Sequence, residues 1–292
     1  KLTGFYERRQ QVLDEFLEIS GQVGAEKEFL HQMERKVEKP FHYEWVEGWS
    51  TLLGSMVADL GVVMALFLGI VLSSLFAGEW HDNTSTLVLT TRNGWGKIAL
   101  AKILTGFAFT VELFALLAVS SVISQLIFME TAGWDMPIQN IKLIAVAPMN
   151  MLQAEIYEYA FVLLGAIGFA GIVMFISAAV KNNVLTLLLS LAVVYGPMMI
   201  AEYLPYKMQK ALDLIPLVGS STDIFRTNTF RIFGKLIWSP YLVTISTYYN
   251  SCLDWYSMYA IRYKELVKKD EGINNNMAKK KVRPGDTFSN QM

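Results

Sequence analysis

Long apolar blocks separated by short polar connectors dominate the chain after residue 48. Five blocks have about the 20 residues that a helix needs to cross the hydrocarbon core of a bilayer. They are 51–76, 103–129, 157–180, 184–201 and 237–261. The pattern predicts an all-α polytopic membrane protein with five transmembrane helices in the sequence. The fifth block contains Asn250 and Asp254, so it is either a crossing helix that lines a polar path or an interfacial helix.

The first 48 residues are polar and show helical periodicity. The apolar stripes are Val12, Phe16, Ile19 and Val23 in a first helix, and Phe29, Met33 and Val37 in a second. Glycines at 21 and 24 separate the two helices, which predicts a small helical hairpin. This hairpin is either a plain structural unit or a gate that contacts substrate. Trp45 and Trp49 suit the headgroup level of a membrane, as an aromatic belt at the entry to the first span.

The distribution of lysine and arginine predicts the orientation of the spans. Connector 77–102, turn 181–183 and the tail from 262 carry twice as many of these residues as connectors 130–156 and 202–236. Positive charge concentrates on the cytoplasmic side. We therefore expect a cytoplasmic segment 79–102 and C-terminus, with region 1–48 outside. Five crossings from outside imply a sixth span before residue 1.

These features divide the chain into three regions. Residues 1–48 form the predicted extracytoplasmic helical region, residues 49–262 the transmembrane domain, and residues 263–292 a basic cytoplasmic tail.

Composition excludes several functions. Only 17% of the residues are charged, against about 25% in a soluble domain. A net charge of −1 argues against a nucleic-acid partner, since phosphate binding requires an excess of cations. One cysteine and three scattered histidines fit no zinc spacing. We expect no metal or cofactor in this chain.

Two acidic residues interrupt the apolar blocks. Asp59 lies in the first block and Glu112 in the second. A carboxylate inside a span costs about 2.5–3.5 kcal/mol on insertion scales, so such residues mark polar contacts between helices or an ion path. Both interpretations stay open for Asp59, Glu112, Asn250 and Asp254.

The connector at 79–102, with the sequence EWHDNTSTLVLTTRNGWGKIALAK, combines charged, aromatic and apolar residues. Its charges are acidic first and basic later, at Glu79, Asp82, Arg92, Lys97 and Lys102. Negative charge at the start favours a helix N-terminus there. The apolar run from Leu87 suits a groove in a soluble partner. The residues alone leave two interpretations: an amphipathic connector, or a docking segment.

Six positions of this segment also follow a family pattern. They are Glu79, Thr84, Leu87, Thr90, Arg92 and Lys102. This order resembles the first cytoplasmic loop of permease subunits of type-2 ABC exporters, which has a glutamate, a threonine, a leucine-rich stretch, an arginine and a lysine opening the next span. The order of spans is similar too. Two departures are the family's first span, which the sequence lacks, and Asn83, where glycine is frequent.

The resemblance implies that segment 79–102 is a coupling helix that inserts into a cleft of separate ABC ATPase subunits. The implied contacts are Glu79, Asp82, Thr84, Leu87, Arg92, Lys97 and Lys102. It further implies ATP and Mg²⁺ in those partners, a second permease subunit (identical or homologous), and a bacterial plasma membrane. The implied activity is export of an amphipathic or hydrophobic substrate, with antimicrobial or cytolytic peptides ranked first. The chain has no G-x-x-x-x-G-K-[ST] phosphate loop, so we expect a transport subunit rather than an enzyme.

Three other functions compete with this one. The main alternative is an ion-coupled secondary transporter that uses Asp59 and Glu112 as relays. An intramembrane enzyme is less favoured, because the apolar blocks contain no histidine and their acidic residues are far apart in sequence. A membrane assembly or sensor partner without transport activity is the third.

Overall fold

A computed structural model provides the fold and describes most of the chain up to residue 238. The described residues are 2–22, 24–39, 41, 47–82, 84, 97–129, 132–180, 182–205, 208, 209, 212, 215, 217, 218, 225, 229–232 and 235–238.

The described chain is mainly helical. The helices are α1 (Leu2–Ile19), α2 (Ala25–Glu34), α3 (Glu47–Thr51), α4 (Val57–His81), α5 (Lys97–Phe128), α6 (Met151–Val180) and α7 (Asn183–Ile200). A π-helical turn, Leu52–Met56, joins α3 to α4, and 3-10 turns occur at Ile138–Asn140 and Ala201–Tyr203. Two antiparallel strands, β1 (Thr229–Ile232) and β2 (Lys235–Trp238), form a small sheet.

Four of these helical stretches are long and apolar enough to cross a membrane. They are Glu47–His81, Lys97–Phe128, Met151–Val180 and Asn183–Ile200. They correspond to the first four predicted blocks, and three of them begin four to six residues earlier than predicted. The early starts arise because helix geometry continues through polar residues, whereas the hydropathy of the sequence falls at the first charge.

The strand pair is an exception to the predicted all-α fold. Ile237 and Trp238 belong to β2, so the prediction that a fifth transmembrane helix begins at Ile237 is wrong. The sequence TFRI–FG–KLIW explains the strands, because β-branched and aromatic residues favour a pleated surface and glycine is typical of a short hairpin connection. Residues 239–261, with Asn250 and Asp254, lie outside the described residues, and their crossing stays a prediction.

Helices α4 and α6 form the centre of the bundle, and α4 also contacts α5 and α7. Their apolar faces share one core cluster that includes Met64, Leu68, Phe76, Phe169 and Val173. Burial of such side chains stabilises the pair by roughly 25 cal/mol per Å² of apolar surface where the reference state is water. In a bilayer the lipid is also apolar, so close packing and polar contacts decide the association.

One buried hydroxyl supplies such a polar contact. Ser177 of α6 donates to the Ser73 carbonyl of α4 at 2.7 Å, and it accepts from the Phe76 and Ala77 amides at 3.1 and 3.0 Å. Its side chain is fully buried. A single serine therefore fixes α6 to the backbone of α4 near the end of α4.

Helix α5 is the most peripheral of the four long helices. Only 6% of the most apolar 18-residue stretch of α5 is buried, against 61% of the corresponding stretch of α6. The close approach to α6 occurs at Gly106, where an added Cβ would lie 2.6 Å from the Met174 sulfur. The remaining faces of α5 present apolar side chains such as Leu116, Ile127 and Phe128 outward. Such a surface suits lipid or another apolar helix.

Helices α1 and α2 lie antiparallel, joined by a turn in which Gly21 and Gly24 have φ of 70° and 60°. These left-handed values favour glycine. The buried face of α1 is formed by Leu13 and Leu17. The predicted stripe is therefore wrong for α1: Val12 and Ile19 are exposed, with Ile19 at 78%. Both stripes have helical spacing, and only the position of α2 selects between them.

The second helix follows its predicted face more closely. Phe29 and Met33 pack against the core, and Val37 just beyond α2 is buried. Trp49 is also buried, and its indole donates to the Ala132 carbonyl at 2.9 Å. Trp49 is therefore part of the packed interior of the chain. Trp45 lies outside the described residues, and the position of both tryptophans at the headgroup level stays a prediction.

A buried ion pair fastens α1 and α2 to connector 132–150. Arg9 pairs with Glu34 of α2 through both guanidinium nitrogens, and both side chains are buried. The same guanidinium donates to the carbonyls of Leu143 and Ala145 at 2.9 and 3.1 Å. The hairpin is thus anchored to the chain that leads into α6.

Candidate functional site

The ends of α4 and α5 come together where segment 79–102 leaves and re-enters the bundle. Glu79 lies in the last turn of α4, and Lys102 lies in the second turn of α5. The Lys102 ammonium is 2.6 Å from the Glu79 carboxylate and also donates to the Leu75 carbonyl at 2.6 Å. It lies 5.4 Å above the Phe76 ring. We call this arrangement the α4–α5 clasp.

The clasp is only partly open to solvent. The side chains of Glu79 and Lys102 are 12% and 23% exposed. Ion pairs in such positions are screened less by salt than pairs on an open surface. Lys102 also satisfies a carbonyl near the C-terminal end of α4, where positive charge suits the helix dipole. The clasp therefore joins two long helices at the point where any force on the intervening segment enters the bundle.

The structure corrects the local conformation predicted for Glu79. The charge pattern predicts a helix N-terminus at the acidic residues of segment 79–102, but α4 continues through His81 and Asp82 is its C-terminal cap. The carboxylate of Glu79 is thus at the unfavourable end of a helix dipole, and Lys102 offsets that charge. Hydropathy alone ends the span at residue 76 and so places this turn outside it.

Three of the other residues predicted to couple to a partner, Asp82, Thr84 and Lys97, are described. Thr84 folds back on α4, since its amide donates to the Glu79 carbonyl at 3.0 Å. Asp82 and Thr84 are exposed, as is Lys97, the first residue of α5. Leu87 and Arg92 lie outside the described residues. In the described part of the segment, Asp82, Thr84 and Lys97 are thus exposed, whereas Glu79 and Lys102 are paired with each other.

The residues predicted for a polar path do not converge in the described structure. Asp59 is exposed on α4 and Glu112 is exposed half-way along α5. Within the described residues, neither carboxylate has a hydrogen-bond or ion-pair partner. Their role as contacts between helices or as relays stays a prediction.

A different pair of carboxylates lies inside the bundle, at the beginning of α6. Glu155 and Glu158 are 4% and 5% exposed. Glu158 lies 3.5 Å from the Lys142 ammonium, which in turn lies 5.0 Å above the Phe225 ring. The sequence pattern does not single out either residue, because it places Glu155 in a polar connector and Glu158 at the edge of a span. The sequence feature that could have identified this pair is the spacing of three residues between Glu155 and Glu158, which puts both side chains on one helix face.

Hydroxyl groups link α6 to α5 at the same level. The Tyr159 hydroxyl is 2.6 Å from the Ser121 hydroxyl of α5, and the Tyr159 and Phe114 rings meet edge to face. Ser121 therefore provides a polar contact between α5 and α6.

Comparison with known proteins adds no further assignment. No protein family, curated protein or solved structure matches this chain.

Proposed function

We propose that the chain is the transmembrane permease subunit of an ATP-driven exporter. In this proposal separate subunits bind ATP and Mg²⁺ and hydrolyse the nucleotide, while the permease carries substrate across the membrane. The observation that supports it best is the α4–α5 clasp. Glu79 and Lys102 connect the two helices at the base of segment 79–102, which carries the resemblance to coupling segments.

The clasp suits the transmission of force. A partner that pushes on the segment meets two helix ends that move together, because the ion pair and the hydrogen bond from Lys102 to Leu75 oppose their separation. Helix α4 in turn is fixed to α6 by Ser177. Displacement at the segment thus passes from α4 to the centre of the bundle, and alternation between two packed arrangements needs such a rigid connection.

The remaining parts of the assembly follow from the same proposal. The segment faces the cytoplasm of a bacterial cell and docks on ABC ATPase subunits through Asp82, Thr84, Leu87, Arg92 and Lys97 together with Glu79 and Lys102. A second permease subunit, identical or homologous, completes the path. The large exposed apolar surface of α5 is compatible with a lipid or helix neighbour. The proposed substrate is amphipathic or hydrophobic, with antimicrobial or cytolytic peptides as the first class to test.

Purification of the detergent-solubilised chain, co-expressed with its neighbouring genes, tests the proposal. We expect a soluble subunit with ATPase activity to co-purify. Replacement of residues 83–96 by a flexible linker should abolish this association. A variant with Arg35→Gln in the exposed Arg35–Glu28 pair of α2 is the matched control, and it should retain the partner.

A chain that purifies without any nucleotide-hydrolysing subunit, in every preparation, contradicts the proposal. That result would shift the assignment to the ion-coupled transporter. Uptake into vesicles driven by an imposed ion gradient would then be measured, with Asp59→Asn and Glu112→Gln as the first variants.

A further inference from the structure

Glu155 is a buried acid without a hydrogen-bond donor. Its side chain is 4% exposed, and neither carboxylate oxygen has a partner among the described residues. It occupies the second turn of α6, between the cluster around Trp49 and Met151 and the cluster around Leu60 and Val162. An acid in this position requires a physical explanation.

The described lysine and tyrosine near Glu155 each contact another residue. Lys142, the cation of the connector, lies beside Glu158. Tyr159 is one helical turn beyond Glu155, and its hydroxyl is bonded to Ser121 of α5. Asp59 is the acid of α4 near this level, and it is exposed. Among the described residues, the cation at this level is Lys142, and the buried carboxylates are Glu155 and Glu158.

An ionised carboxylate is unstable under these conditions. Burial of a charge without a donor costs several kcal/mol or more, so such a group becomes neutral or acquires a counter-ion. A metal ion such as Ca²⁺ requires about six to eight oxygen ligands. Within the described residues, no group of three or more His, Cys, Asp or Glu side chains converges. A proton requires no further ligand.

We propose that Glu155 is a proton-binding site, which holds a proton in this conformation. The ligand is the proton itself. This site is independent of the ATPase partner proposed above, and it does not use Asp59 or Glu112.

Infrared difference spectroscopy on the purified full-length protein in lipid nanodiscs tests the site. A protonated carboxylic acid has a carbonyl stretch that an ionised one lacks. We expect this band in the wild-type protein at neutral pH and expect it to disappear on alkaline titration. It should be absent in Glu155→Gln and present in Glu158→Gln and Glu112→Gln.

Two results would overturn the proposal. One is a wild-type spectrum without any protonated-carboxyl band at neutral pH, and the other is a band that persists in Glu155→Gln. If Glu155→Gln fails to fold, the assignment is made by exclusion. A band retained in Asp59→Asn, Glu112→Gln and Glu158→Gln then supports Glu155, and a band lost in any one of them contradicts it. None of these measurements depends on transport or on an ATPase subunit.

Discussion

Glu79 at the end of α4 and Lys102 near the start of α5 form a 2.6 Å ion pair that closes the base of segment 79–102. The pair has the character of a partly buried contact rather than of a surface salt bridge, because Lys102 also binds the Leu75 carbonyl and covers the Phe76 ring. Its removal therefore has consequences for stability as well as for the proposed coupling.

The first prediction concerns this pair. Glu79→Gln and Lys102→Met should each lower the free energy of unfolding by about 1–3 kcal/mol, since each leaves a charged partner without its counterpart in a partly buried position. The double variant should lose less than the sum of the two single changes. Unfolding in mixed detergent micelles measures all three. Lys97→Met, at the exposed start of α5, is the control and should change little.

Additive effects of the two changes, within about 0.3–0.5 kcal/mol, would show that the pair contributes no coupling energy. That outcome would contradict the conclusion that the Glu79–Lys102 pair stabilises the contact between α4 and α5.

The second prediction concerns Ser177. Ser177→Ala removes a donor to the Ser73 carbonyl and an acceptor for the Phe76 and Ala77 amides. Hydrogen bonds between membrane helices contribute on average about 0.6 kcal/mol and at most about 1.7. We expect a loss near the upper value, because one oxygen serves three partners. Unfolding of the purified protein measures this loss of free energy.

Ser74→Ala is the matched control. Ser74 is exposed and its hydroxyl bonds only to the Val71 carbonyl of its own helix. Equal losses for Ser74→Ala and Ser177→Ala would show that the contact between α4 and α6 adds nothing.

The third prediction concerns Arg9. Arg9→Met leaves the buried Glu34 carboxylate with Lys39 as its remaining cation, at 3.3 Å. Loss of one member of a buried pair costs about 3–5 kcal/mol. Hydrogen exchange should therefore become faster in α1, α2 and residues 143–145. Arg35→Met disrupts an exposed pair with Glu28, which is worth about 0–1 kcal/mol, and should leave exchange unchanged.

Unaltered exchange in Arg9→Met would mean that the hairpin is held by its apolar contacts alone. Leu13, Leu17 and Leu30 would then be the residues to replace.

The fourth prediction concerns pH. Hydrogen bonds from Lys27 to Glu18 and Asp14, each 3.1 Å, raise the pKa of Lys27 above its ordinary value of 10.5. Since the raised value belongs to the folded state, the contribution of Lys27 to stability is complete below 10.5 and is lost as the pH rises through the folded-state pKa. Thermal unfolding of the hairpin helices across this range should show an alkaline decrease that Lys27→Met lacks. The same decrease in both proteins would exclude Lys27 as its source.

The four described spans are predictable from sequence because a run of about 20 consecutive apolar residues is typical of a membrane-crossing helix. Prediction fails where two patterns are equally regular, as at Val12–Phe16 and Leu13–Leu17 in α1, since only the packing partner distinguishes them. It also fails at the ends of helices. Glu79 and Glu155 are acids that hydropathy assigns to connectors, whereas the structure continues the helix through both.

The candidate site is predictable in part. The charges of segment 79–102 and its resemblance locate it in the sequence, yet the pairing of Glu79 with Lys102 depends on how closely α4 and α5 approach. The buried carboxylates of α6 depend on a connector folding over them, because Lys142 reaches Glu158 from outside the helix. Sequence distance gives no indication of either contact.

Connector 132–150 is bound by two other elements. Arg9 of α1 donates to its Leu143 and Ala145 carbonyls, and Glu158 of α6 pairs with its Lys142. The consequence is mechanical. A molecule that tilts the amino-terminal hairpin must also pull on the first turns of α6, and a rotation of α6 must swing the hairpin. The hairpin and the first turns of α6 are therefore mechanically linked through connector 132–150.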